Sequence, residues 1–233
     1  MKTILKTTAL LAVACLLTGC GGMYGSTRQK SSASYANYIL GLHSQTNDVT
    51  RKVSTPINLA VAQAGEPSPA GEMLDKLRGN PALVSSVVGL PLPTETIPHY
   101  SNRDNKQPVE DFPAKVRSVC NVARSVGADY IFIYGGNLEA WQEQNGWMIL
   151  DLTIIGGATV PSTKINCESR AAGALIRTDT AEAVLFVNAD ARRAGRSPSY
   201  LATGRTDALL TELRDEVAVT LTDELLQKLA QPK

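Results

Sequence analysis

Aromatic residues are scarce in this chain. Phe, Trp and Tyr together make up 5% of its 233 residues, leaving little material for base-stacking platforms. Histidine is scarcer still, with only His43 and His99. Neither has Cys, Asp or Glu nearby at ligand spacing, and neither accompanies a G-x-S-x-G elbow, so a zinc centre and a Ser-His hydrolase both lack their residues. No G-x-x-x-x-G-K phosphate loop occurs, and no cofactor is expected. The formal net charge is only +1, which gives no basic field to draw nucleic acid. No apolar run approaches the roughly 20 residues of a membrane-spanning helix.

What the chain does have begins at its N-terminus. Lys2 and Lys6 precede the apolar run Ala9 to Leu17, the layout of an export signal. Leu17-Thr18-Gly19-Cys20 follows at once, and this stretch resembles the lipobox of bacterial lipoproteins. The resemblance implies a signal peptide over residues 1–19, loss of Cys15 with it, and a diacylglyceryl group on the Cys20 thiol. One acyl chain holds a protein reversibly at about 0.8 kcal/mol per buried CH₂, whereas two or three give stable attachment. Gly21 stands where lipoproteins kept at the inner membrane often carry Asp, so the resemblance implies the periplasmic face of the outer membrane.

Loss of residues 1–19 removes two lysines and no acid, leaving a net charge of −1. The remaining chain is long enough for one core of ordinary size. Two further cysteines, Cys120 and Cys167, fit neither a zinc pattern nor a C-x-x-C redox pair. In an oxidising compartment they either pair with each other or serve as small buried hydrophobes.

The patterning divides the chain into a tether over residues 20–37, rich in Gly and Ser, and a single domain over 38–233. Alternation in INLAVA (Ile57 to Ala62) predicts a strand. Ser68-Pro69 starts a helix carrying Met73, Leu74 and Leu77 on one face, and Asn80-Pro81 starts a second with Val84, Val87 and Val88 at helical spacing. Tyr100 to Pro108 is a surface loop. Asp111, Pro113, the stripe Val116, Val119, Cys120 and Ala123, and a closing Gly127 predict the next helix. Asp129 to Tyr134 (DYIFIY), apolar on both faces, suits a strand buried inside a sheet. Gly135-Gly136 breaks that run, and Gln142 to Gly146 forms a turn into a strand at Trp147 to Ile155. Ile165 to Leu175 and Leu185 to Ala191 alternate around Asp179 to Glu182, which predicts a hairpin, ended by Gly195 to Pro198. A long amphipathic helix runs from Thr206 to Leu229.

This order predicts an α/β (α+β) domain: a mixed sheet with a right-handed parallel crossover, an antiparallel hairpin and a long C-terminal helix packed on the sheet. The stretch ARSVGADYIFIYGG, the turn at Asp179 to Glu182 and the closing helix resemble the α/β domain shared by the N-terminal part of the Tol–Pal translocation protein and the curli-secretion lipoprotein. The segment MYGSTRQKSSASYANYIL resembles the rhombotarget lipoproteins, although the C-terminus LLQKLAQPK lacks the Gly-Gly, hydrophobic and basic tail that sortase-type processing implies.

Chemistry is thinly represented. Glu139 and Glu143 form a carboxylate pair on paper, but in a polar turn they read as solvated charges. Trp141 and Trp147 flank the same turn and offer a partner contact, with core packing the alternative for Trp147. The reading is a lipid-anchored, non-enzymatic envelope lipoprotein whose domain binds or helps assemble an envelope protein. Its membrane contact is the acylated Cys20, with no nucleic acid and no metal. The alternative is a ring-forming subunit of an outer-membrane secretion or assembly complex, with an envelope hydrolase as a distant third.

Overall fold

A computed structural model describes residues 28–31, 53–64, 66–92, 112–144 and 161–231. In chain order its elements are β1 (Arg28–Ser31), β2 (Ile57–Gln63), α1 (Gly71–Arg78), β3 (Val84–Leu90), α2 (Phe112–Ser125), β4 (Tyr130–Gln144), β5 (Thr163–Arg177), β6 (Ala183–Ser197), a 3₁₀ turn at Ser199–Leu201, and α3 (Ala202–Ala230). The strands form one sheet in the order β3-β2-β4-β5-β6, and β1 pairs antiparallel with β4. β2 is parallel to both β3 and β4, whereas β4, β5 and β6 pair antiparallel. The fold is α+β, with a mixed sheet and a long C-terminal helix, as the order of sequence patterns implies.

The sheet buries both of its faces around Tyr130–Tyr134, because alternate residues there meet different helices. Tyr130, Phe132 and Tyr134 join Met73 and Leu77 of α1 and Val217, Leu221 and Leu225 of α3 in one cluster. Ile131 and Ile133 point the other way, toward Val116, Cys120 and Ala123 of α2. This double cover accounts for the uninterrupted apolar run DYIFIY. α3 continues along its face past the end of that cluster, where Leu209 and Leu213 cover Ala140, Ile165 and Cys167. The opposite face of the same strand ends carries Glu139, Glu143, Lys164, Glu168, Arg170 and Arg192, tied by ion pairs such as Lys164–Glu143 at 3.5 Å and Arg170–Glu168 at 2.7 Å.

Several expectations are corrected. Val84, Val87 and Val88 belong to strand β3, not to a second short helix. After Pro81 a single turn forms, with the Leu83 and Val84 N–H groups donating to Asn80 O, and the chain then pairs with β2 from Ile57↔Val84 to Ala62↔Leu90. A run of valines and serines has weak helix propensity, and the free edge of β2 offers it a hydrogen-bonding ladder. α1 begins at Gly71. Ser68 does not cap it, since its hydroxyl lies 3.3 Å from Pro69 O and the N-cap position is Ala70.

Gly135-Gly136 does not break β4, which runs on through Gln142 to Gln144. Gly136 lies opposite Ala171, where an added Cβ would fall 2.6 Å from Arg170 O, so the glycine permits close strand approach. Glu139 and Glu143 are consequently strand residues and not part of a turn. Within the expected tether, Arg28–Ser31 is a strand. Gly127 does end α2 as expected, at φ +81, with the Ala128 N–H returning to Ala123 O. Cys20, His43, His99, the Tyr100 to Pro108 loop, Asp111 and the Trp147 to Ile155 strand lie outside the described residues.

Candidate functional site

The topology creates one natural crevice. From β2 the chain leaves through α1 to β3 on one side, while from β4 it leaves to β5 on the other. Such a reversal opens a gap beyond the carboxyl ends of the two parallel strands, the usual ligand position in sheets of this kind. β2 stops at Gln63, level with Tyr134, and β1 takes the place beside β4 only from Asn137 to Ala140. A cavity of about 100 Å³ lies there, lined by Gln63 and Glu66 after β2, Tyr134 to Leu138 of β4, and Arg214 and Val217 of α3. That is room for several waters or a small polar group.

Its polar groups are held in different ways. Tyr134 is buried, donates to Gln63 Oε1 at 2.8 Å and accepts from the Ala70 N–H at 3.0 Å, which ties the start of α1 to the cavity wall. Burial pushes its phenol up to about 12, with the Ala70 hydrogen bond pulling the other way. Asn137 donates to Glu139 Oε1. Its own Oδ1 is buried and finds no hydrogen-bond partner among the described residues. An orphaned amide oxygen costs about 1–3 kcal/mol and is satisfied by any group bringing an N–H or O–H. Arg214, half-exposed with Nε 3.5 Å from Asp215, places a guanidinium on the same wall. The guanidinium suits an acidic side chain or chain terminus entering from the α3 side, whereas the Asn137 side chain points to the opposite face of the sheet, beside Glu139 and Arg170.

The residues singled out from sequence fall elsewhere. Glu139 and Glu143 share one face of β4, four residues apart, which at about 3.3 Å per residue separates them by roughly 13 Å. That exceeds the spacing of either glycosidase geometry, about 5 to 9.5 Å. Glu143 instead pairs with Lys164 and accepts from Trp141 Nε1 at 3.3 Å. Trp141 is half-buried on the charged face of the sheet, and Trp147 lies outside the described residues. Cys120 and Cys167 are both buried and free. They occupy separate clusters, Cys120 under α2 and Cys167 under α3, with the sheet between them. Burial pushes the Cys120 thiol up to about 11, slightly offset by Arg124, and raises that of Cys167. Among the described residues, no three His, Cys, Asp or Glu side chains come together at metal-holding distance.

Asn137 and Arg214 were not legible in the sequence. Asn137 follows a glycine pair that reads as a break, and Arg214 reads as one more charge on the outer side of a helix. Only the early end of β2 turns both into lining.

No family model matches this chain, and no curated protein matches it either. Among solved structures it is similar to a PelC dodecamer from Paraburkholderia phytofirmans, at 15% identity and TM-score 0.36 over 90% of this chain and 99% of that one. A variant PelC dodecamer from the same organism aligns at 16% identity and TM-score 0.31 over 85% and 98%. Lipoprotein GNA1162 from Neisseria meningitidis aligns at 11% identity and TM-score 0.30 over 67% and 97%. At these scores no function is carried across.

Proposed function

We propose that the chain is a lipid-anchored envelope lipoprotein, acylated on Cys20 at the periplasmic face of the outer membrane, whose domain is a non-enzymatic binding or assembly module for another envelope protein. The observation that carries the anchor is the lipobox Leu17-Thr18-Gly19-Cys20 at the end of a short apolar run, eight positions before a strand built into the sheet. Anchoring by acyl chains also suits a chain in which no described helix is long and apolar enough to cross a membrane.

The binding role draws on the cavity at the end of β2. Its guanidinium, beside Val217 and Ala218 of the same helix, prepares it for one acidic group of a partner chain. The ring-forming alternative needs strands that face lipid, and the face of β4, β5 and β6 opposite α3 is laced with ion pairs instead.

Mass spectrometry of the mature protein is the decisive test. The expected N-terminal peptide begins at Cys20 and carries diacylglyceryl and amide-linked acyl mass, and a Cys20→Ser chain keeps its leader and loses that mass. An unmodified Cys20 in the mature protein overturns the anchor. For the module, a photo-crosslinker at position 138, on the α3 side of the cavity wall, is expected to trap an envelope protein in intact cells and to lose it when Arg214 is changed to Glu. Crosslinks indifferent to Arg214 overturn the cavity as the contact.

A further inference from the structure

The orientation of the domain on its membrane follows from how β1 enters the sheet. Arg28 pairs with Ala140 and Ser31 with Asn137, so the chain arrives at β1 from the side of Trp141 to Gln144. Cys20 lies eight residues earlier and reaches at most about 29 Å from Arg28. The end of the sheet at Gln144 is four residues from Ala140, roughly 13 Å, while the opposite end at Tyr130 is ten residues away, roughly 33 Å. Acyl chains on Cys20 therefore reach a bilayer beyond the Gln144 end and fall short of one beyond the Tyr130 end.

At the near end, Gln144, Thr163 and Ser197 lie level across β4, β5 and β6. The 3₁₀ turn follows directly, fixed by hydrogen bonding between Ser199 Oγ and Ser162 Oγ at 2.8 Å. It presents Tyr200 at 65% and Leu201 at 49% exposure, an aromatic and an aliphatic side chain side by side on a rigid turn that leads straight into α3. Lys164 and Arg196 pair across β5 and β6 one step in from this end, and Arg205 stands on the first turn of α3 with Glu212 at 3.9 Å; Glu143 and Asp207 are the other nearby acids. Val122 and Val126 are also exposed, but they sit at the end of α2 beside Ala128 and Tyr130, where the anchor does not reach.

We propose that Tyr200 and Leu201 form a second membrane contact: they rest in the interfacial layer of the lipid leaflet that holds the Cys20 acyl chains, with Arg196 and Arg205 facing its anionic head groups. An amphipathic tyrosine suits that layer, where its ring is apolar and its hydroxyl stays wet. The contact holds the Gln144 end down and turns the Tyr130 end, with the close of α2, away from the lipid. The inference rests on the acylation reading and goes beyond it by fixing which end faces the membrane.

The test uses the full acylated protein in vesicles of phosphatidylethanolamine and phosphatidylglycerol containing doxyl-labelled lipid. A bimane fluorophore is attached at Tyr200→Cys or, as the far-end control, at Val126→Cys. Cys120 and Cys167 are buried and take no label in the folded protein. The expected result is several-fold stronger quenching at position 200 than at 126, weakened by replacing phosphatidylglycerol with phosphatidylcholine. Equal quenching at both positions, or stronger quenching at 126, with acyl mass confirmed on Cys20, overturns the second contact alone. Absence of that mass overturns both readings. Circular dichroism of each variant shows whether the fold is unchanged, and both substitutions are at exposed positions.

Discussion

At the level of single residues, the tightest constraints concern small side chains beneath large ones. Gly173 pairs across from Tyr134, and a Cβ there would lie 2.6 Å from Phe132 Cε2 and nearer still to Cζ. Phe132 is fully buried and stacks on Tyr134 with ring centroids 5.7 Å apart, so it has no room to retreat. Gly173→Ala is expected to destabilise by about 1–3 kcal/mol in urea denaturation; an unchanged midpoint contradicts this packing. The buried acids give a pH effect of definite sign. Cys120 rises from 9.0 to about 11 and Tyr134 from 10.0 to about 12, both chiefly through burial, so the unfolded chain loses these protons first. Their neutral forms favour the folded state, and stability is expected to fall as pH rises from about 9 toward 11. Denaturant midpoints across that range check it, and Cys120→Ala is expected to flatten the slope. That Cys120 lies on the buried stripe of a helix was readable from Val116, Val119 and Ala123. That the sheet separates it from Cys167 was not, because spacing along a chain does not report which face of a sheet a residue meets.

Among the elements, α3 does more than cover a face. Glu224 Oε2 accepts from the Asn188 N–H at 2.9 Å, and Lys228 Nζ donates to Phe186 O at 2.7 Å. These two side chains, themselves paired at 2.8 Å, occupy backbone groups of the last strand that another chain would otherwise use. The double variant Glu224→Ala/Lys228→Ala is expected to speed amide exchange at Asn188 and to cost about 1–3 kcal/mol. Self-association at raised concentration, followed by sedimentation, is the second expected readout. Leu221→Ala, in the centre of the same helix with its side chain fully buried, is expected to cost about 2–5 kcal/mol by thermal or chemical denaturation. The helix itself was legible from its leucine spacing. β3 was not, because Val84, Val87 and Val88 satisfy a helical template as well as a strand, and the choice is made by the open edge of β2 beside them.

For the molecule as a whole, the distance from Cys20 to β1 sets the behaviour at a membrane. On the proposed anchor at Cys20, only seven residues precede the first paired one, a reach that keeps the domain close to the lipid. Lengthening this stretch by ten Gly-Ser residues is expected to leave the acyl mass unchanged and to lower quenching at position 200, because the longer reach lets either end face the bilayer. Equal quenching in the short and lengthened forms contradicts a length-set orientation.

By itself the sequence determined what depends on neighbours along the chain: the hairpin around Asp179 to Glu182, the capped end of α2 and the amphipathic course of α3. Each is fixed by local periodicity or by a residue with a special backbone preference. The tertiary structure alone decided that β3 is a strand, that Gly136 joins strands and does not part them, and that Tyr134 and Arg214 share a cavity. Those outcomes hang on which strand lies beside which, and that is set by the competition of whole elements for burial and for backbone partners.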